Sequence, residues 1–360
     1  MQQFTRPGQW RGRRGWWMMA GLRFRPVPTR PDPIHQRRRE GGGQYQRGVS
    51  GGGRAAGRIA WPDDFVQIGR AINLIHFSPP LCDSLAFAAT LLNRDTRYSS
   101  GVFDLDAGPV TITMPDPGKR FMALQVINED HYVPNVFYGK GTYTLTRENV
   151  GTRYVAAAIR TLVDPNSADD IRQVHVLQDA IKVSQQATGK FETPAWDAAS
   201  QKKIRDALLV LSSTMPDFRK AFGTRETVDP VRRLIGTAAA WGGNPDKDAV
   251  YLNITPAKND GKTVYRLNVK DVPVDAFWSV SVYNAAGYFQ KNPANAYTVN
   301  NLTAKKSSDG AIAIQFGGCD GQVPNCLPVV EGWNYTVRLY RPRAEVLSGA
   351  WNFPQPQPVN

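Results

Sequence analysis

The 360-residue sequence has no run of 18 apolar residues, which excludes an ordinary membrane-crossing helix. It holds only four histidines and three cysteines, and of the histidines only His131 and His175 lie beyond residue 92. With a single closely spaced Cys pair, that set offers no zinc-ligand pattern, and neither a metal nor any other cofactor is expected. Complete catalytic motifs are missing as well. Gly48-Val49-Ser50-Gly51-Gly52 has the spacing of a nucleophile elbow but lacks a strand before it and a helix after it. Gly261-Lys262-Thr263 ends like a phosphate loop, yet Pro256 stands where the loop's first glycine belongs.

Lysine is absent from residues 1–60, which carry 13 Arg against Asp32 and Glu40, a net charge of +11. The whole chain is at +13, so the remaining 300 residues carry only +2. The excess of positive charge is therefore local. A nearly neutral body predicts no nucleic-acid surface. The first 60 residues, rich in Arg, Gly and Pro and without apolar periodicity, are expected to be disordered. Arg11 to Arg14 followed by a short apolar run imitate an export signal, but Arg23 and Arg25 end the run after eight residues, so no working signal peptide is expected. Residues 61–92 are more apolar, with a short helix predicted from Phe65 to Ile75 and stopped by Pro79-Pro80.

From Ser99 onward short β-rich runs alternate with Gly and Pro. Strands are predicted near 99–105, 108–114, 120–128, 136–146 with a turn at 139–141, and 152–161. Ser167-Ala168-Asp169-Asp170 then starts a helix with Val174 and Ile181 on its apolar face. A second helix, 197–213, is expected to bury Ile204, Leu208 and Leu211. A third begins near Val228, with Pro230 in its first turn. Six further strands follow at 249–254, 262–269, 276–283, 296–300, 311–317 and 334–341. The fold class is therefore mainly β with a helical insert: an antiparallel β-rich region over 93–165, a helical connector over 166–244, and a jelly-roll-like β-sandwich over 245–358.

Three stretches carry candidate chemistry. Asn93-Arg94-Asp95-Thr96-Arg97-Tyr98-Ser99 crowds polar side chains ahead of a strand, and Asn93, Asp95 and Tyr98 are candidate ligand-binding residues. Asn128-Glu129-Asp130-His131-Tyr132 follows a strand, and places two carboxylates beside an imidazole that could serve as a general base. In Phe277-Trp278-Ser279-Val280-Ser281-Val282-Tyr283, period-2 alternation sets Trp278, a fourth candidate ligand-binding residue, on the face opposite Ser279, Ser281 and Tyr283. Cys319 and Cys326, with Gly317, Gly318 and Gly321 around them, are expected to form a disulfide, which implies an oxidising compartment.

These stretches also carry a resemblance. Residues 93–99, Phe103-Asp104-Leu105-Asp106-Ala107-Gly108-Pro109-Val110 and Gln125 through Tyr132 resemble the bacterial domain of unknown function DUF1254. Ala276-Phe277-Trp278-Ser279, Tyr283-Asn284, Gly287, Asn292-Pro293 and Val337 through Pro342 resemble its companion DUF1214. The resemblance covers about 93–358 and implies a β-rich first region, helices and a C-terminal sandwich, with a periplasmic or secreted location for the native family form. It implies no mechanism. Upstream the chain departs from the pattern, having Ala88-Ala89-Thr90-Leu91-Leu92 where relatives place a Met before the Asn, and Arg97 where they have Leu. Residues 1–92 are accordingly expected to be a wrong-frame or wrong-start translation. Two functions remain open: envelope-associated binding of a small polar ligand or glycan through Asn93, Asp95, Tyr98 and Trp278, or a hydrolase or lyase using His131 as general base, oriented by Glu129 or Asp130.

Overall fold

A computed structural model describes residues 93–190, 192 and 197–359. The expectations for residues 1–92 lie outside that range. The first β region is built from β1 (Thr96–Asp104), β2 (Val110–Met114), β3 (Met122–Asn128), β4 (Asn135–Tyr138), β5 (Gly141–Leu145), β6 (Tyr154–Leu162) and β7 (Lys182–Gln185). These form two antiparallel sheets, β1-β6-β3-β4 and β5-β2-β7. Their facing sides enclose a core of Val110, Ile112, Leu124, Val126, Val155, Ile159 and Ile181. Ile181 belongs to this core rather than to a helix, because the preceding helix α2 (Ala168–Asp179) ends early enough for β7 to pair with β2. The start of α2 follows its capping signal: Ser167 Oγ accepts from Asp170 N, and Arg120 holds the Asp170 carboxylate at 2.5 and 2.9 Å. The four-residue α1 (Arg147–Val150) links β5 to β6.

Helices α3 (Ala198–Ser212) and α4 (Pro230–Ala239) form the connector. Here the expected burial is not met: Ile204 is 41% exposed and Leu211 51% exposed, while Leu208 is half-buried. The apolar spacing of α3 is real, but its main packing partner is α4, which is too short to cover the whole stripe.

Strands β8 (Ala249–Ile254), β9 (Tyr265–Val269), β10 (Trp278–Tyr283), β11 (Thr298–Asn300), β12 (Ile312–Phe316), β13 (Cys326–Leu327), β14 (Asn334–Tyr340) and β15 (Gln357–Pro358) form the last region, with a short α5 (Ala344–Ser348) between β14 and β15. They make two sheets, β11-β10-β14-β8 and β13-β12-β9-β15. Trp278, Val280 and Val282 of β10 and Tyr335, Val337 and Leu339 of β14 meet Leu267, Ile312, Ile314 and Phe316 across the interior. This is a β-sandwich. Its strand pairs are antiparallel, including β8 with β14, except for the two-residue β13, which joins β12 in parallel.

Cys319 and Cys326 are joined by a disulfide with Cα atoms 5.7 Å apart. Closing a loop of about eight residues restricts the unfolded chain by roughly 2.5 kcal/mol. Reduction should therefore lower the stability measured by urea unfolding by about 2 kcal/mol. An unchanged midpoint in the presence of a reductant would contradict that.

Candidate functional site

The outer face of the β10-β14 sheet is the unusual one. The inner face takes the alternate residues Trp278, Val280 and Val282, so Ser279, Ser281 and Tyr283 point outward together with Thr336, Arg338 and Tyr340 of β14. All of these are nevertheless buried: Asn93 and Phe121 of the first β region lie against Tyr340, and Phe289 and Tyr297 cover Tyr283. Phe121, just before β3, contacts Phe277 and Tyr340 at 5.4 Å each. The two β regions thus meet at a seam that is apolar at one end and polar along the rest.

Asn93 begins the polar part. Its Oδ1 accepts from Asp95 N in a tight turn, and its Nδ2 donates across the seam to the Tyr340 hydroxyl at 2.9 Å. Asp95, fully buried, accepts from Asn300 Nδ2 at 3.0 Å and from Thr298 Oγ1 at 3.3 Å. Arg338, 3% exposed, donates to Ser281 Oγ at 3.0 Å and to the Tyr283 hydroxyl at 2.7 Å, and the Asp95 charge helps to keep it protonated.

The second buried cation is Arg160, 7% exposed, at the far end of β6. Its Nε donates to the Tyr98 hydroxyl at 3.3 Å, Nη1 to Gln125 Oε1 at 2.5 Å, and Nη2 to the Gly242 carbonyl at 3.0 Å. A longer contact of 3.4 Å joins Nη1 to Asn244 Oδ1, and Asn244 Nδ2 donates to the Tyr251 hydroxyl. Every one of these acceptors is formally neutral, and among the described residues no carboxylate forms an ion pair with Arg160. Burial works against its charge, but its pKa still lies above the usual arginine value, because loss of its proton would come only where the phenols of Tyr98, Tyr251 and Tyr340 are themselves ionised and favour the cation. The reciprocal effect falls on Tyr98. Burial raises its pKa, yet the Arg160 guanidinium, hydrogen bonds with Thr96 and Arg160, and the field of Arg338 together bring it below the ordinary 10. Tyr340 moves the opposite way, pushed well above 10 by burial and its phenol neighbours.

Cross-strand pairing explains the space beside this cluster. On the seam face of the first sheet Tyr98 pairs with Arg160, Ser100 with Ala158 and Val102 with Ala156, while Gln125 of β3 lies opposite Ala158. Ser100, Ala156 and Ala158 are small and only half-buried, so they form an accessible floor with Tyr98, Arg160 and Gln125 at one end.

Of the seven residues singled out from the sequence for ligand binding or catalysis, the seam therefore unites Asn93, Asp95 and Tyr98. Trp278 is excluded from it. Its side chain packs edge-on against Phe353, with centroids 5.8 Å apart, inside the sandwich core, and this corrects its placement as a ligand contact.

His131 is not placed as a general base either. It sits at φ +61° just after β3, and is only 3% exposed. Nε2 accepts from Gly242 N at 2.8 Å, so Nδ1 bears the proton and donates to Thr237 Oγ1 at 3.1 Å, which in turn donates to the Arg233 carbonyl. Both ring nitrogens are occupied. Burial, with a smaller contribution from the Arg233 charge, lowers its pKa to about 3 and keeps it neutral. Glu129 and Asp130 do not orient it: Glu129 Oε2 accepts from Tyr154 N, and Asp130 faces Arg225 at 3.6 Å. His131 is a clip between the β3 turn and the connector, whose Gly242 and Asn244 reach Arg160.

The comparisons with known proteins also divide the chain into two regions. Residues 72–146 match the protein family of unknown function DUF1254, and residues 249–344 match the protein family of unknown function DUF1214. The chain carries both, in the order that the motifs implied. The first match begins at residue 72, which corrects the reading that the family likeness starts only at 93 and that all of 61–92 departs from it. Among solved structures, the chain is similar to the VPA0106 protein of Vibrio parahaemolyticus, at 19% identity over 75% of this chain and 90% of that one, with a TM-score of 0.63. It also matches an uncharacterized protein from Burkholderia cenocepacia, at 12% identity over 75% and 77% of the two chains, with a TM-score of 0.46. No curated protein matches the chain. None of the described helices is long and apolar enough to cross a membrane.

Proposed function

We propose that the chain binds a small polar molecule bearing a carboxylate, held on the Ser100–Ala156–Ala158 floor with Arg160 as its counter-charge. The observation that carries this reading is a protonated, buried guanidinium whose hydrogen-bond partners are all neutral. Burying a cation without an anion is costly, and the cost is removed when a ligand supplies the anion. Perturbed ionisation beside an accessible floor points to the same place. Tyr98 and Gln125 flank the position and can orient the ligand's remaining polar groups. The proposed setting is the cell envelope, periplasmic or secreted, and the Cys319–Cys326 disulfide supports an oxidising compartment.

A thermal-shift panel of mono- and dicarboxylic acids, with neutral sugars alongside, tests this. At a hundred times its dissociation constant a ligand adds about 2.7 kcal/mol, a shift of several degrees. One or more acids should give that shift with the natural protein and none with a folded Arg160→Gln variant. Stabilisation by sugars alone, or equal shifts in both proteins, would overturn the proposal.

A further inference from the structure

The opposite face of the same two strands borders a second space. Between β1 and β6 on one side and β2 and β7 on the other lies a cavity of about 200 Å³. Its walls are Ile112, Ala157, Ile159, Ile181 and Val183, closed at one side by the Phe103 ring. The space exists because Gly101 pairs with Ala157 at a point where a sandwich core ordinarily places large side chains. A side chain at Gly101 would not fill it harmlessly, since its Cβ would lie 2.6 Å from Phe103 Cζ. The polar side chains on this face are Ser99, Gln185 and Thr188, and among the described residues no charged side chain lines the cavity. The Gln185 amide is already committed, donating to the carbonyls of Asp104 and Gly108. Ser99 Oγ accepts from Gln178 Nε2 at 3.0 Å, and its own proton has no acceptor among the described residues.

We infer that this cavity is a binding site for a small neutral amphiphile, whose hydrocarbon end is an aromatic ring or a chain of about six carbons and whose hydroxyl meets Ser99 or Thr188. Size selects the hydrocarbon: an engineered apolar cavity of about 150 Å³ stays dry and takes benzene, and this one is somewhat larger and partly open. The lining selects the polar end. With no charged lining residue, a carboxylate or ammonium would lose its hydration without compensation, whereas a hydroxyl has serine and threonine partners. The site is independent of the Arg160 seam, because Ala157 and Ile159 point away from Ala158 and Arg160.

The test uses 1-hexanol and benzyl alcohol as probes on the full chain, with hexanoate and hexylamine as charged counterparts, read by methyl NMR and calorimetry. Saturable shifts confined to the methyls of Ile112, Ile159, Ile181 and Val183 are expected, with the alcohols binding at least tenfold more tightly than the charged probes. Ala157→Val and Ala157→Leu should weaken alcohol binding progressively, by tenfold or more for leucine, while Arg160→Gln leaves it unchanged. If the leucine variant does not fold, the valine variant and the NMR map of the natural protein still decide. Non-saturable or scattered shifts, hexanoate binding as well as hexanol, or full affinity in the folded Ala157 variants would each overturn the inference.

Discussion

Acidification is expected to destabilise this protein through His131 alone by roughly 4 to 5 kcal/mol between neutral pH and pH 3. The imidazole is neutral in the folded state, with its pKa lowered to about 3, whereas in the unfolded chain it titrates near 6.5. Between those values the unfolded state binds the proton and the folded state does not, so protonation favours unfolding. The contribution is therefore intact above pH 6.5 and is lost progressively as the pH falls toward 3, at about 1.4 kcal/mol per pH unit. Urea unfolding from pH 7.5 to pH 4 reads this slope. A folded His131→Asn variant, whose residue type tolerates the positive φ, should be less stable at pH 7 but should lose that part of the acid slope. An identical slope in the variant would show that His131 is protonated in the native state and is not the clip described above.

Asp95→Ala should cost about 3–5 kcal/mol, the largest effect expected of any single substitution at the seam. Asp95 is fully buried, and it accepts from Asn300 and Thr298 of β11 while its charge acts on Arg338. Removing it takes a buried negative charge out of the field of the Arg338 guanidinium and leaves Asn300 Nδ2 and Thr298 Oγ1 without this acceptor, which is the expensive way to break a buried ionic cluster. An Asp95→Ala/Arg338→Met double variant should recover part of the loss, because the positive charge that the Asp95 carboxylate favours is then gone. Chemical denaturation measures both. A double variant as unstable as the sum of the two single ones would show that the two residues do not act on each other.

Much of the fold was legible because strands with one apolar and one polar face announce themselves at period 2, and β1 to β6, β8 to β12 and β14 all lie within a few residues of their expected positions. β13 and β15 were not legible, since two residues carry no periodicity, and β7 was hidden when Ile181 was counted as helical. The burial of α3 was misread for a different reason: spacing gives the direction of an apolar stripe, not the length of its partner. Asn93, Asp95 and Tyr98 stood out as a polar cluster ahead of a strand. Arg160 did not, because Tyr154-Val155-Ala156-Ala157-Ala158-Ile159 reads as an ordinary core strand. The available signal was one arginine in a strand otherwise almost without polar groups. Trp278 was assigned to the wrong side because alternation separates two faces without saying which of them meets the sandwich interior. His131 drew attention as a rare histidine beside carboxylates, yet its chemistry was decided by Gly242 and Thr237, more than a hundred residues away.

The central claim is that Arg160 is a counter-charge waiting for an anion. Calorimetric titration of the natural protein with the best acid from the panel, and with the amide of that same acid, tests it most directly, because the pair differs mainly in charge. Hydrogen bonds to a charged group are worth about 1.5–3 kcal/mol, so the acid should bind about 10- to 100-fold more tightly than its amide. Equal affinity for acid and amide would mean that no buried cation recognises the ligand, and would contradict the account.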